Sequence, residues 1–156
     1  MRHCFFLLII FGLASCNSNR IFEDNVDFKD RSWKVNVPAQ FEFEISDTTK
    51  KYNLYIDIRN SLDYPYSRLF VNSLLYDSTG GELSKKLVTE FLFDQKTGEP
   101  QGSSGIGDIY DHRFQLLNNY RFRKGGKHKM KFEQFMRQDT LQGILAVGLR
   151  VETVAN

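Results

Sequence analysis

Apolar and polar residues alternate with a period of two along much of the chain. Phe41, Phe43 and Ile45 alternate with Glu42 and Glu44, and beyond the turn Asp47-Thr48-Thr49-Lys50 the pattern resumes with Tyr52, Leu54, Ile56 and Ile58 against Asn53, Asp57 and Arg59. A half-buried strand imposes this period because successive side chains leave opposite faces of a sheet. The two runs predict a hairpin whose apolar faces coincide. Upstream, Trp33, Val35 and Val37 predict a strand that Pro38 interrupts. Downstream, the run at 66–76 is apolar on both faces, as in a central strand covered on both sides. Residues 86–94, carrying Leu87, Phe91 and Phe93, read as strand, with a short helix as the alternative for so brief an apolar run.

The segment 94–109 is rich in Gly and Ser and nearly devoid of apolar side chains, which predicts the longest loop. Tyr110, His112, Phe114 and Leu116 resume the alternation. Gly125-Gly126 then predicts a tight hairpin, since both glycines can take positive φ. The returning strand points Met130, Phe132 and Met136 inward and Lys127, Lys129, Lys131 and Glu133 outward, and Leu145, Val147, Leu149 and Val151 form the last strand. About eight short strands, turns every 8 to 12 residues or so and no amphipathic helix predict an all-β fold, an antiparallel two-sheet β-sandwich of which the jelly roll is one form.

The first residues follow a different rule. Arg2 and His3 precede an apolar run at 4–11, and Leu13-Ala14-Ser15-Cys16 closes it with an aliphatic residue, two small residues and a cysteine. Charge, apolar stretch and small-residue cut site in that order make a secretory signal. A cysteine at the cut marks a bacterial lipobox, so Cys16 is the expected lipidation site and first mature residue. The run is too short for the roughly 20 apolar residues of a membrane span. The expected organisation is a signal peptide at 1–15, a lipidated N-terminus and tether at 16–31, and a β-sandwich at 32–156, with Ile21, Phe22, Val26 and Phe28 free to dock on the domain.

Removal of the signal leaves 141 residues with 20 Lys and Arg against 19 Asp and Glu. A balance this even gives no basis for nucleic-acid binding. Cys4 leaves with the signal and the Cys16 sulfur becomes a thioether, so the domain has neither a free thiol nor a disulfide.

Candidate chemistry is sparse. The loop at 102–108 has the glycines of a phosphate loop without the Lys-Ser/Thr ending or the following helix. Ser103 or Ser104 with Asp111 and His112 would make a hydrolase triad only if they converged, and no nucleophile-elbow pattern accompanies them. Asp94, Asp108 and Asp111 bracket the same loop and offer oxygen ligands for calcium, without EF-hand spacing. His112 and His128 show no zinc-ligand spacing, and no catalytic residue, metal site or cofactor is expected. The basic group Arg121, Arg123, Lys124, Lys127, Lys129 and Lys131 would suit anionic lipid, glycan or an acidic partner, although lysines guarding an edge strand is the favoured explanation. Tyr52, Tyr55, Tyr64 and Tyr66 would stack on sugars if they shared one exposed face.

Several segments together carry a resemblance: the lipobox, Trp33 before Pro38-Ala39-Gln40-Phe41, Ile58-Arg59-Asn60 followed by Tyr64-Pro65-Tyr66-Ser67, and Met136-Arg137 with Leu141-Gln142-Gly143-Ile144 and Val147-Gly148-Leu149. In order and spacing they resemble the gliding-motility lipoprotein H family (GldH) of the Bacteroidota. The resemblance implies a non-enzymatic assembly or stabilising component of the envelope machinery for gliding and type IX secretion. Its implied partners are the membrane, through the lipid, and other motility lipoproteins or secretion components. Arg59, Asn60, Tyr64, Tyr66 and Arg137 are the candidate partner contacts. No acidic residue closely follows Cys16, which favours a periplasm-facing anchor over surface export, and Asn17 in place of an aspartate leans toward the outer membrane. A glycan-binding module of a polysaccharide-uptake system is the alternative.

Overall fold

A computed structural model describes residues 19–154; the signal run and Cys16 lie outside the described residues. The fold is an all-β antiparallel sandwich. Its strands are β1 (Arg20–Asp27), β2 (Ser32–Lys34), β3 (Ala39–Ile45), β4 (Tyr52–Ser61), β5 (Arg68–Tyr76), β6 (Glu82–Phe91), β7 (Ser103–Ser104), β8 (Ile109–Tyr120), β9 (Gly126–Gln134), β10 (Thr140–Gln142) and β11 (Ile144–Thr153). One sheet has the order β1-β11-β4-β8-β7 and the other β3-β9-β5-β6, while β10 and β2 form a short ribbon at one end.

The alternation seen in the sequence builds the core. Phe41, Phe43 and Ile45 of β3, Met130 and Phe132 of β9, and Leu69, Val71 and Leu75 of β5 are buried on one sheet. Leu54, Ile56 and Ile58 of β4 and Val147, Leu149 and Val151 of β11 are buried on the other, in one continuous cluster. Each such side chain contributes about 1.5 to 3 kcal/mol of burial, which is how a domain without disulfides offsets its chain entropy. Trp33 closes one end of this core, stacked on Phe28 at 5.2 Å with its indole N–H donating to the Val37 carbonyl at 2.8 Å. Phe122 closes the other, meeting Tyr52 and Tyr120 edge to face.

Several expectations need correction. The runs at 41–45 and 52–58 are not hydrogen-bonded to each other: β3 pairs with β9, and β4 lies between β11 and β8 in the opposite sheet. Their apolar faces coincide because they meet across the core. Gly125-Gly126 likewise carries the chain from β8 in one sheet to β9 in the other rather than closing a hairpin. The strand at Trp33 is short, because Val37 N–H turns back onto the Lys34 carbonyl and leaves Val35 and Val37 exposed. Residues 20–27, expected in the tether, form β1 and pair with β11 from Arg20 to Asp27, so the sandwich begins well before residue 32. Finally, β9 is an interior strand. Its lysines answer acids across the ladder, Lys127 opposite Glu44 and Lys129 opposite Glu42, and do not guard an edge.

The connections sort by length to the two ends of the sandwich. The tight turns 46–51, 77–81 and 121–125 lie at one end together with Asn19 and Val154, where Thr153 N–H donates to the Asn19 carbonyl at 2.7 Å and Val154 N–H to the Lys51 carbonyl at 2.9 Å. We call this the terminal end. The segments 28–31, 35–38, 62–67, 92–102, 105–108 and 135–139 lie at the other, the loop end.

Candidate functional site

The loop end gathers most of the residues that the sequence singles out. β4 delivers Asn60 and Ser61 there, and both are fully buried. Asn60 Nδ2 donates to the Ser61 carbonyl at 3.1 Å, so its Oδ1 must accept from His112 Nε2 at 2.9 Å. That contact places the imidazole proton on Nε2. Burial holds the His112 pKa below its ordinary value, against the pull of Asp111. Gly102 covers the ring, and a Cβ there would fall 2.7 Å from Nε2.

The next segment folds over β10 and β11. Tyr64 is buried, donates its hydroxyl to the Arg68 carbonyl at 2.8 Å, stacks on Phe93 and meets Tyr66 edge to face at 5.7 Å. Burial, with Tyr66 beside it, raises the Tyr64 hydroxyl pKa above the usual phenol range. Gly143 lies directly beneath. Its φ is +80°, and a Cβ would fall 2.4 Å from the Tyr64 nitrogen. Its N–H donates to the Arg31 carbonyl at 2.8 Å and its carbonyl accepts Ser61 N–H at 2.9 Å. Arg31 in turn reaches Asp108 at 2.6 Å. The Leu141-Gln142-Gly143-Ile144 and Asp63-Tyr64-Pro65 segments, far apart in sequence, are thus fitted to each other backbone against backbone.

Around this frame stand apolar side chains open to solvent. Val35, Val37, Leu62, Tyr66, Ile106 and Phe135 are exposed, Ile106 at 93% and Phe135 at 59%. They are six of the nine large apolar side chains exposed among the described residues, and all lie at the loop end. Arg137 is exposed beside Phe135, in a loop braced by Gln134, which donates to the Gln138 carbonyl at 2.6 Å and accepts Met136 N–H at 2.8 Å.

The five expected contacts therefore divide. Tyr66 and Arg137 are accessible at the loop end. Asn60 and Tyr64 are interior, correcting the expectation that they touch a partner. Arg59 is on the outer face of the five-stranded sheet, paired with Asp111 at 2.7 Å. There it joins a lattice of ion pairs in which Arg113 bridges Asp57 and Glu23, and Arg150 bridges Glu23 and Glu152. Beside them a groove of about 440 Å³ runs over Ala146 and Gly148. The half-exposed Arg59 and Arg113 pairs contribute about 0 to 1 kcal/mol each, whereas Arg150 is itself buried beneath its two acids. Val35 and Val37 alternate with Trp33 in the sequence and read as strand residues, while Leu62, Ile106 and Phe135 carry no sequence signal, since exposure of one apolar residue leaves no periodic trace.

The other constellations do not assemble. Asp111 and His112 are neighbours on a strand and face opposite ways, Asp111 toward Arg59 and His112 toward Asn60, so neither supports a serine nucleophile. Asp94 accepts hydrogen bonds from its own turn at Lys96 and Thr97, Asp108 pairs with Arg31, and Asp111 with Arg59. Among the described residues no three His, Cys, Asp or Glu side chains converge. The tyrosines share no face: Tyr52 is buried at the terminal end and Tyr64 at the loop end. Among the described residues no helix is long and apolar enough to cross a membrane.

Comparison with known proteins adds the lineage. Over nearly its whole length the chain is 31% identical to a "gliding motility lipoprotein GldH homolog" of Christiangramia forsetii, covering 97% of this chain and 94% of that protein. It is 28% identical to the gliding motility lipoprotein GldH of Flavobacterium johnsoniae, covering 94% and 92%. Among solved structures, the VP2 subviral particle of infectious bursal disease virus gives a TM-score of 0.43 at 13% identity, this chain spanning 37% of that one. A family GH115 4-O-methyl-α-glucuronidase gives 0.41 at 10% identity, with 20% of that chain spanned. Likenesses this loose bear on neither fold nor activity. The GldH lipoprotein family model matches residues 20–151, from the first strand into the last, and the chain belongs to that family.

Proposed function

We propose that this protein is a lipid-anchored component of the gliding-motility machinery of the cell envelope, and that it acts without catalysis, by holding other components of that machinery or of the linked secretion system together. Cys16 carries the lipid, and the absence of an acidic residue close behind it favours the periplasmic face of the outer membrane. The observation that carries the assembly reading is the concentration of exposed apolar side chains at the loop end. Single exposed apolar residues are ordinary, whereas their concentration marks a protein–protein surface. The Gly143–Tyr64 fit braces the 62–67 segment that presents Leu62 and Tyr66, which lowers the entropy lost on binding.

The test is a pull-down of tagged protein from gently solubilised envelopes, comparing the native chain with Leu62→Ser/Tyr66→Ser/Phe135→Ser and with Cys16→Ala. Recovery of motility or secretion lipoproteins with the native chain, and their loss in the triple variant at unchanged stability, is expected. Equal recovery by the triple variant, or recovery only of polysaccharide-uptake proteins, would overturn the proposal.

A further inference from the structure

The terminal end differs from the loop end in charge as well as in shape. Its three turns carry Lys50, Lys51, Arg121, Arg123 and Lys124 against Asp47 and Asp77. All five cations are exposed. Both acids are engaged by their own turns: Asp47 Oδ1 accepts Thr49 N–H and Oγ1–H at 2.9 and 2.6 Å, and Asp77 Oδ1 accepts Thr79 N–H, Thr79 Oγ1–H and Gly81 N–H at 2.7 to 2.9 Å. Lys50 comes within 4.0 Å of Asp47 and Lys124 within 3.5 Å of Asp77, which leaves Lys51, Arg121 and Arg123 without an acid within salt-bridge distance among the described residues. At the flanking strand ends, Lys127 stands opposite Glu44, Arg20 opposite Glu152, and Glu82 opens β6. The loop-end segments carry four cations, Lys29, Arg31, Lys96 and Arg137, against six acids, Asp30, Asp63, Asp94, Glu99, Asp108 and Asp139, and the flanking strand ends add Lys34 and Arg68 against Asp27, so acids still outnumber cations there. The molecule is a charge dipole along its strands.

Chain geometry fixes which pole meets the membrane. The Asn19 carbonyl accepts from Thr153 N–H and Oγ1–H, so the sandwich holds the chain from Asn19 onward at the basic end. Cys16 is three residues earlier, and three residues reach at most about 11 Å when fully extended. A lipid on Cys16 therefore brings this end to the headgroup layer, comparable to the roughly 8 Å over which charges act at physiological salt. Phe122 is buried in the core while Arg121 and Arg123 on either side of it are exposed.

We propose that the terminal end is a docking surface for anionic lipid headgroups, with Lys50, Lys51, Arg121, Arg123 and Lys124 lying against the membrane and the strands carrying the loop end away from it. This rests on lipidation of Cys16. It gives the two poles separate work, one binding lipid and the other protein, and it assigns the basic residues a ligand.

Orientation is read by energy transfer. Acylated protein is reconstituted in zwitterionic vesicles and in vesicles containing phosphatidylglycerol, with a dye on Thr49→Cys at one pole or Leu62→Cys at the other and an acceptor on the lipid headgroups. The ten residues of β4 separate the poles by about 33 Å. Strong transfer from position 49 and weak transfer from position 62 in anionic vesicles is expected, with the difference reduced by high salt and by Arg121→Gln/Arg123→Gln/Lys124→Gln. For the unlipidated Cys16→Ser chain, partition onto anionic vesicles should fall about fivefold for each basic side chain neutralised. Equal transfer from both positions, or no effect of the triple variant on either readout, overturns the orientation while leaving the anchor intact. Failure of Cys16 to incorporate acyl chains, measured by mass spectrometry, overturns the anchor and the orientation with it.

Discussion

Replacing Gly143 with alanine tests the fit beneath the loop end. Two costs arise and can be separated. The backbone at φ +80° is left-handed, which costs any L-residue about 1 to 2 kcal/mol. The new Cβ would also fall 2.4 and 2.5 Å from the Tyr64 nitrogen and Cα and 2.9 Å from the Asp63 carbonyl carbon, against the 3.4 Å of ordinary contact. Backbone must therefore move by roughly an ångström. The bonds at risk are Gly143 N–H to Arg31 and Ser61 N–H to Gly143, and a buried group left unpaired costs about 1 to 3 kcal/mol. The expected loss is about 3 to 5 kcal/mol, a large fraction of the ~5 to 15 kcal/mol that stabilises a domain, or about 10 to 15 °C in Tm. Gly80→Ala is the control, with φ +87° and nothing within 4 Å of its Cβ, so it carries the conformational cost alone. Urea melts of both variants, followed by circular dichroism, give the comparison. A Gly143→Ala unfolding free energy within about 1 kcal/mol of that of Gly80→Ala would refute the close approach.

Three further outcomes are expected. Tyr64→Phe should lose about 0.5 to 1.5 kcal/mol by removing the bond to the Arg68 carbonyl, and Tyr64→Ala about 3 to 5 kcal/mol by opening a cavity, both read as shifts in urea midpoint. Because burial lowers the His112 pKa, the unfolded chain takes up this proton first, so stability should hold above the ordinary value of 6.5 and decline as the pH falls through it toward the folded pKa; His112→Asn should flatten that window in a pH series of melts. Hydrogen bonds from Thr79 and then Gly81 hold Asp77 down at about 2, so the stability it contributes should be lost as pH falls from 3.8 toward 2, and Asp77→Ala should remove that part of the acid limb.

The strands are legible because each buries one face, and Phe41, Phe43 and Ile45 or Leu54, Ile56 and Ile58 write that face into the sequence. Their pairing is not legible, because two amphipathic strands joined by a short turn show the same alternation whether they hydrogen-bond side by side or face each other across a core. At 46–51 and at Gly125-Gly126 the chain takes the second course. β1 is not legible for a different reason. Asp24 stands opposite the buried Leu149, and a register irregularity at Ile21 breaks the period, so Phe22 and Val26 read as isolated. At the loop end, Tyr66 and Arg137 were legible as accessible residues through the segments that contain them, whereas the interior roles of Asn60 and Tyr64 depend on His112 and Gly143, which approach only in the folded chain.

The pairing of β1 with β11 has a mechanical consequence. β1 begins at Arg20 at the terminal end and runs toward the loop end, joined to β11 at seven paired positions. Antiparallel hydrogen bonds lie perpendicular to their strands. A pull between an anchored Cys16 and a load held at the loop end acts along the strands, so the β1–β11 ladder is loaded in shear and its bonds resist together instead of unzipping one at a time. Glu23, clasped by Arg20, Arg113 and Arg150, bolts the same strand to its neighbours at mid-length.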